Sequence, residues 1–346
     1  MTERPERVGI TAGGNWIVDR IKTVDHLPER GMLASILGES RSTGGGPANV
    51  LADLARLGCD FPLAGVGIVG DDENGRLIVE TFRGLGVDTA HIAATGEAPT
   101  AYTDVMNEEG TGDRSFFHHR GANALFEPDS IPAGDLTCRI FHLAYLLLLN
   151  SMDTPDDEFG TRAARALHDL QQQGIKTSVD VVSEDSDRFA TLVPPALKYV
   201  DYLILNEIEA TRAVGRKART EDGRLDGRAV VDAVEDLYGF GDMALAAVHM
   251  PEGVYLRDRT GHRQCRGSLA LPEGSIRSTV GAGDGFCAGM LYALHEGWDY
   301  AEAAHLGTCA AAAVLAADGA TDGMMPLNDV LALGERFGQR AAPIEV

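Results

Sequence analysis

Gly281-Ala282-Gly283-Asp284-Gly285 opens a segment in which Phe286, Met290 and Ala293 form one apolar stripe, with Cys287, Leu291 and Leu294 beside it. That spacing predicts a helix. Small residues just before a helix let main-chain N–H groups approach an anion closely, and the helix dipole favours negative charge there. Asp284 then stands where a bound phosphate would meet a second molecule, and a carboxylate so placed can accept the proton of an attacking hydroxyl. The same residues also have a plainer reading, with Asp284 merely capping the helix. The rest of the chain has to decide between the two.

Outward from this motif, short apolar runs alternate with longer amphipathic ones. Phe61–Val69, Ile140–Leu149, Lys176–Val182, Tyr202–Leu205 and Met243–His249 read as strands. Leu77–Leu85, Asp156–Gln173 and Val230–Tyr238 read as helices. Such alternation predicts an α/β fold, a mainly parallel sheet covered on both faces. Arg20–Thr43 and Pro99–Arg120 break the pattern with short β-like runs, among them Ala101–Met106 and Ser115–His118. These two segments, about 20–43 and 99–120, are expected to form a small separate sheet, a lid over the active site. No repeat or linker divides residues 1–346, so one domain with this insertion is expected.

Two further motifs are candidates. Gly44-Gly45-Gly46-Pro47-Ala48-Asn49 leads into a helix through Val50, Leu51, Leu54 and Leu57. Its glycines bring main chain near a ligand, and Asn49 can both donate to and accept from sugar hydroxyls; a simple glycine turn is the plainer reading. Asn206-Glu207-Ile208-Glu209 follows a strand. Asn206 and Glu209 can hold water on Mg²⁺, which keeps several of its waters, and the same spacing makes a capping box. Gly65-Val66-Gly67-Ile68-Val69-Gly70, with Asp88 following, matches a dinucleotide fingerprint. Asp71, Asp72 and Glu73 come next, and three carboxylates would repel a pyrophosphate, so that reading is set aside. The chain also lacks a GxxxxGK[ST] phosphate loop.

The chain has 346 residues, with 30 Lys plus Arg against 52 Asp plus Glu, a net charge of -22. So acidic a surface repels nucleic acid and anionic membranes. An anionic substrate then needs a local site, such as a helix N-terminus or Mg²⁺, to overcome the field. The cysteines Cys59, Cys138, Cys265, Cys287 and Cys309 are scattered and odd in number, which argues against zinc and a disulfide framework and for a reducing compartment. Met1–Arg7 is polar, without an apolar signal core. Leu143–Leu149 and Ala310–Ala317 are too short to span a bilayer. A cytoplasmic protein is expected.

Taken together, the motifs resemble the ribokinase family, the phosphofructokinase-B type of carbohydrate kinases. Gly14-Asn15 with Asp19 is similar to the family's opening strand, and Gly44–Asn49 to its first signature. Val66–Gly70 with Asp72 and Gly75 resembles its common strand-turn-helix element, and Gly121-Ala122-Asn123-Ala124-Leu125 a stretch found in ribokinases themselves. Asn206 and Glu209 match its NxxE pair, and Thr279–Phe286 its second signature. The resemblance implies a ribokinase-like three-layer α/β/α sandwich with a small β lid, often used as a dimer interface. It implies ATP-dependent phosphorylation of a hydroxyl, expected to be primary, on a small sugar such as ribose or fructose. Asp284 would be the base, with Gly281, Ala282 and Gly283 forming the anion hole. Asp19, Gly45 and Asn49 would bind substrate, and Asn123 would join them or brace the loop below the lid. Asn206 and Glu209 would organise Mg²⁺ through water. His118, His119 and Arg120 read as a solvated lid strand.

Three departures stand out. Ser278 replaces an Asp that helps form a monovalent-cation site in many members, so potassium activation is not expected. His249-Met250-Pro251-Glu252-Gly253 replaces a Gly-richer stretch near the nucleotide, and Pro251 lacks an N–H donor. Thr308 stands where an adenine-side Asn is common. Two other functions compete. A nucleoside kinase of the same family needs an apolar, aromatic-lined pocket, which Phe116 and Phe117 keep open. A non-catalytic sugar-binding regulator predicts loss of the base or the glycines, and both are present.

Overall fold

The computed structural model describes residues 6–110, 114–182 and 187–346; most of the polar N-terminal stretch, residues 1–5, and residues 111–113 of the second lid segment lie outside them. The strands are β1 (Ile10–Gly14), β2 (Ile17–Val24), β3 (Ile36–Gly44), β4 (Leu63–Gly70), β5 (Asp88–Thr95), β6 (Tyr102–Glu108), β7 (Arg114–His119), β8 (Ile140–Leu146), β9 (Pro155–Asp156), β10 (Gly160–Thr161), β11 (Lys176–Val181), β12 (Tyr202–Asn206), β13 (Leu245–Met250), β14 (Gly253–Asp258) and β15 (Arg263–Gly267). The helices are α1 (Gly46–Leu57), α2 (Glu73–Gly84), α3 (Arg162–Gln172), α4 (Phe189–Leu197), α5 (Glu207–Arg212), α6 (Gly227–Tyr238), α7 (Ala282–Glu296), α8 (Tyr300–Leu315) and α9 (Leu327–Phe337).

Nine strands form the main sheet in the order β15-β14-β13-β12-β11-β8-β1-β4-β5. From β13 to β5 neighbours run parallel; β14 and β15 add an antiparallel edge. Successive strand side chains point to opposite faces, and the two cores follow that rule. Ile204, Leu245 and Ala247 face the core under α1, α2, α7, α8 and α9. Leu203, Leu205, Ala246 and Val248 face the core under α3, α4 and α6. The result is three layers, α/β/α. On the first face α7 and α8 approach closely because neither Gly289 nor Gly307 has a side chain; a Cβ on Gly289 would lie 2.8 Å from Gly307 Cα.

The segments that broke the alternation form a separate four-stranded sheet, β3-β2-β6-β7. Boundaries shift elsewhere. α2 starts at Glu73, earlier than its apolar spacing indicated, because Asp72 caps it by accepting from Gly75 N at 2.8 Å. α3 starts at Arg162 because residues 155–161 form the ribbon β9–β10. The dinucleotide-like glycines lie within β4 itself rather than in a turn. Gly65 and Gly67 leave room for Trp16, whose indole N–H donates to Val66 O at 2.9 Å.

Candidate active site

In parallel α/β sheets, ligands bind beyond the carboxyl ends of the strands, near the point where strand order reverses. Here that reversal lies at β1, flanked by β4 on one side and β8 on the other. Tyr145 on β8, Asp180 on β11, Asn206 on β12 and His249 on β13 all stand at or near those ends. With Glu209, Gly283 and Asp284 they line a cavity of about 220 Å³.

Asp284 lies in the first turn of α7. Gly281 precedes it at φ 79°, where a Cβ would collide with Ala320 O, so only glycine fits this turn. No side chain among the described residues caps the helix; Ala282 N donates to Thr279 O at 3.4 Å, and the N–H groups after it in the first turn are placed to meet a ligand. Both oxygens of Asp284 are held: Oδ2 accepts from Asn49 Nδ2 at 2.8 Å, and Oδ1 from the Tyr145 hydroxyl at 2.5 Å. Burial raises the Asp284 carboxyl above its ordinary value, while the Tyr145 and Asn49 donors pull it back down.

Asn49 reaches Asp284 because α1 starts from a glycine turn. Gly45 has φ 93°, and a Cβ there would strike Asn15 O. Asn15 Oδ1 in turn accepts from Gly46 N at 3.3 Å. A side chain on Gly44 would collide with the Asp19 carboxylate, which comes in from β2. Burial first, and then the Asp284 charge, push Asp19 up to about 6. Asp19, the Gly45–Asn49 turn and Asp284 thus converge from three segments distant in sequence.

Asn123 is not part of this convergence. It is buried, and its amide is engaged with main chain: Oδ1 accepts from Trp16 N at 3.2 Å and Nδ2 donates to Trp16 O at 3.1 Å. Of the two roles expected, the geometry gives it bracing. His118 bonds across the small sheet to Thr103 Oγ1, at 3.0 Å from Nδ1. Asn206 and Glu209 form a reciprocal capping box, each side chain bonded to the other's main-chain N–H at 2.9 Å, and both also line the cavity. The capping box is therefore present, with both side chains also facing the cavity.

Asp180 was missed in the sequence because a lone Asp inside an apolar strand carries no motif. Burial, then Glu209 and then Asp284, hold its carboxyl well above the usual range. Tyr145 was hidden in the apolar run of β8. Asp53, one helical turn beyond Asn49, is fully buried, and neither of its oxygens has a hydrogen-bond partner among the described residues. Burial, and next Asp284, push it well above the carboxylate range against the pull of Arg56. The departures also have places. Ser278 Oγ accepts from Val280 N and from Arg114 Nη1, each at 3.2 Å. Thr308 Oγ1 donates to Ala304 O at 2.7 Å.

Residues 10–327 match the pfkB family carbohydrate kinase pattern. The chain belongs to that family. As a pfkB carbohydrate kinase it is an enzyme of the phosphotransferase class, and its relatives agree. It is 27% identical over 313 residues to the ribokinase of Arabidopsis thaliana, covering 90% of this chain and 76% of the relative. It is 25% identical over 302 residues to the 5-dehydro-2-deoxygluconokinase of Shouchella clausii, covering 86% and 87%. The structure of Arabidopsis thaliana ribokinase complexed with ribose and ATP superposes with a TM-score of 0.77 at 23% identity, over 94% of this chain and 98% of that one. That likeness establishes the ribokinase fold. No helix among the described residues is long and apolar enough to cross a membrane.

Does the cavity suit the Mg²⁺ that the family implies? Asp180 and Glu209 supply hard carboxylate oxygens around one space, and their mutual repulsion is what a divalent cation would relieve. No three such groups among the described residues stand close enough to ligate an ion together. Hard oxygens of this kind are the donors Mg²⁺ takes, alongside several waters of its own.

Proposed function

We propose that the protein transfers the γ-phosphoryl group of ATP to a hydroxyl, expected to be primary, of a small sugar. The observation that carries this is Asp284, a two-point-held carboxylate in the first turn of the uncapped helix α7, inside the strand-end cavity. The acceptor hydroxyl gives its proton to Asp284 as its oxygen forms the new bond to phosphorus. The bond from that phosphorus to the ADP oxygen breaks in line. Main-chain N–H groups of Gly281, Ala282 and Gly283 receive the negative charge of the transferring group, aided by the helix dipole. Asp19, Gly45 and Asn49 orient the sugar. Asn206 and Glu209, with Asp180, would hold Mg²⁺ through water, and the ion supplies charge neutralisation at the phosphates. Positioning and electrostatics carry most of such catalysis.

A nucleoside acceptor is the second reading. Ile21, Val105 and Phe116 lie opposite one another across β2, β6 and β7, which makes an apolar row next to the polar row of Asp19, Thr103 and His118. A base could lie on the first while its ribose meets the second. Purified protein with ATP, Mg²⁺ and a panel of free sugars and nucleosides decides between them: ADP release stimulated by a sugar supports the first reading. Stimulation by nucleosides alone selects the second, and no stimulation by any acceptor speaks against both and for a regulator.

The small sheet and its β2–β3 connection also present Met32, Leu33, Ile36, Leu37, Phe116 and Phe117 to solvent, Leu33 at 87% exposure. Apolar exposure on this scale is typical of interaction surfaces, and the proposed occupant is the same sheet of a second copy, giving a homodimer. Light scattering of wild type and Leu33→Ser/Phe117→Ser tests it: a dimer that dissociates in the variant supports it, and a monomeric wild type ends it. The cytoplasmic setting rests on five cysteines that are all unpaired.

A further inference from the structure

Among the side chains that touch Asp284, Tyr145 is the one no motif announced. It comes from β8, where Ala144 O accepts from Asn15 N at 2.9 Å and so ties the strand end to the turn after β1. The ring lies against Gly46. A Cβ on Gly46 would stand 2.9 Å from Tyr145 Cε1 and 3.0 Å from Cζ, so that glycine is what makes room for the phenol. The hydroxyl then donates to Asp284 Oδ1 at 2.5 Å. On the other side Asn49, from α1, donates to Oδ2 at 2.8 Å.

Two donors from two different elements fix both the plane and the rotamer of the carboxylate. Each oxygen keeps a second lone pair, so the acceptor hydroxyl can still be met without either donor leaving. Within the reading of Asp284 as the base, we propose that Tyr145 is a positioning residue for phosphoryl transfer, whose hydroxyl holds Asp284 in place and in its ionised form. Its own titration supports this: burial, and then the nearby Asp284 charge, push the phenol well above its ordinary range. Tyr145 therefore remains a donor throughout the pH range in which Asp284 works. Burial opposes ionisation of Asp284, and the phenol is the first of two donors that counter it.

Other groups act on the same carboxyl. Asp19 enters from β2, Asp53 from α1 and Asp180 from β11; each is coupled to the Asp284 charge and, when ionised, makes it harder to hold, and Glu209 from α5 lines the same cavity. His249 on β13, which burial lowers to about 4, is neutral near pH 7 and contributes no compensating charge. The two donors thus oppose the effect of burial on Asp284, and removing one has a signed consequence. Without the phenol the Asp284 carboxyl titrates higher, and activity is lost further up the pH scale.

The test is Tyr145→Phe, which keeps the ring against Gly46 and removes only the hydroxyl. The acid limb of the kcat profile should move up by about one to two pH units, the equivalent of one hydrogen bond to a charged group. The loss should therefore be larger on the acid side of the profile than on its alkaline side. A uniform loss at every pH, or none, overturns the proposal. The same shift is readable without turnover, by infrared titration of the buried carboxyl band assigned through Asp284→Asn. An unmoved band in Tyr145→Phe also overturns it. An Asp284→Asn variant that keeps its activity would instead sink the assignment of the base, a result distinct from either outcome at Tyr145.

Discussion

The strand-end floor and the small four-stranded sheet come together near Asp284, the sheet through Asp19, but are built in opposite ways. On the floor, the polar groups around Asp284 are largely held by protein: Tyr145 and Asn49 on the carboxylate, Glu209 on Asn206, Asn15 on the Gly45–Gly46 turn. Gly45 and Gly281 are fixed by backbone oxygens that any side chain would strike. The small sheet brings Asp19 at its root, and beyond that it is open; every residue of β3 from Ile36 to Arg41 is exposed. Such a difference separates tasks. Rigid, pre-paired groups suit the reacting atoms, where small misplacement is costly. A loosely packed sheet on the rim suits closing on a substrate or on a second copy.

If the division is right, the largest effect belongs to the floor. Asp284→Asn should lower kcat by about 10²–10⁴-fold while leaving the melting temperature and sugar binding near wild type. A variant retaining a third or more of wild-type kcat would break the comparison at its centre.

At the root of the small sheet the effect should fall on binding. Asp19→Ala removes charge-assisted hydrogen bonds worth about 1.5–3 kcal/mol, and sugar affinity should drop about 10–100-fold. Binding of a non-hydrolysable ATP analogue should change little. Asn49→Ala should weaken sugar binding too, and because Asn49 also holds Asp284 it should lower kcat as well. Calorimetry with both ligands, beside steady-state rates, separates the two variants; equal losses for sugar and nucleotide would count against Asp19 as a sugar contact.

Acidity sharpens the contrast further. The folded Asp19 carboxyl titrates at about 6 against an ordinary 3.8, so between those values the folded chain holds a proton that the unfolded chain has lost. The associated stability is fully present below about 3.8 and is lost as pH rises to about 6. Between pH 4 and pH 7, wild type should therefore lose about 1–3 kcal/mol relative to Asp19→Asn, after discounting for the partial exposure of the group. Urea midpoints at the two pH values measure it. An equal pH dependence in both proteins would show that Asp19 is not held in this way. Sugar affinity should also weaken below pH 6, as the carboxylate is neutralised.

The smallest effect is expected from potassium. Ser278 offers a neutral hydroxyl where a carboxylate would supply both an oxygen and a charge, and the Arg114 guanidinium already donates to it. Initial rates against potassium, with choline chloride keeping the ionic strength fixed, should stay flat at saturating ATP and Mg²⁺. A strong saturable rise would overturn this. Ser278→Asp should create potassium dependence, and its failure to do so would place the cause elsewhere.

The parallel sheet, the helix opened by Gly281–Asp284, the turn at Gly44–Asn49 and the capping box of Asn206 and Glu209 were legible in the residues themselves. Each rests on local chemistry: alternation, glycine at positive φ, or a side chain three residues from its partner. The start of α3 was not legible, because its helical spacing continues back through residues that pair as β9 and β10. The amide of Asn123 was ambiguous for a different reason. An Asn after glycine serves a ligand or the main chain equally well, and only the position of Trp16 fixes which.

The sequence by itself determined the fold class, the family and the identity of the carboxylate at the head of α7, because these depend on short-range patterns that survive in any context. Tertiary structure decided what surrounds that carboxylate. Tyr145, Asp180 and Asp53 sit in ordinary apolar runs of β8, β11 and α1, and no spacing distinguishes them. They matter because β8 and β11 end beside one another and α1 packs on α7, which brings carboxyl groups distant in sequence into one weakly solvated space. There burial and mutual repulsion set their charge, and burial is a property of the folded chain alone.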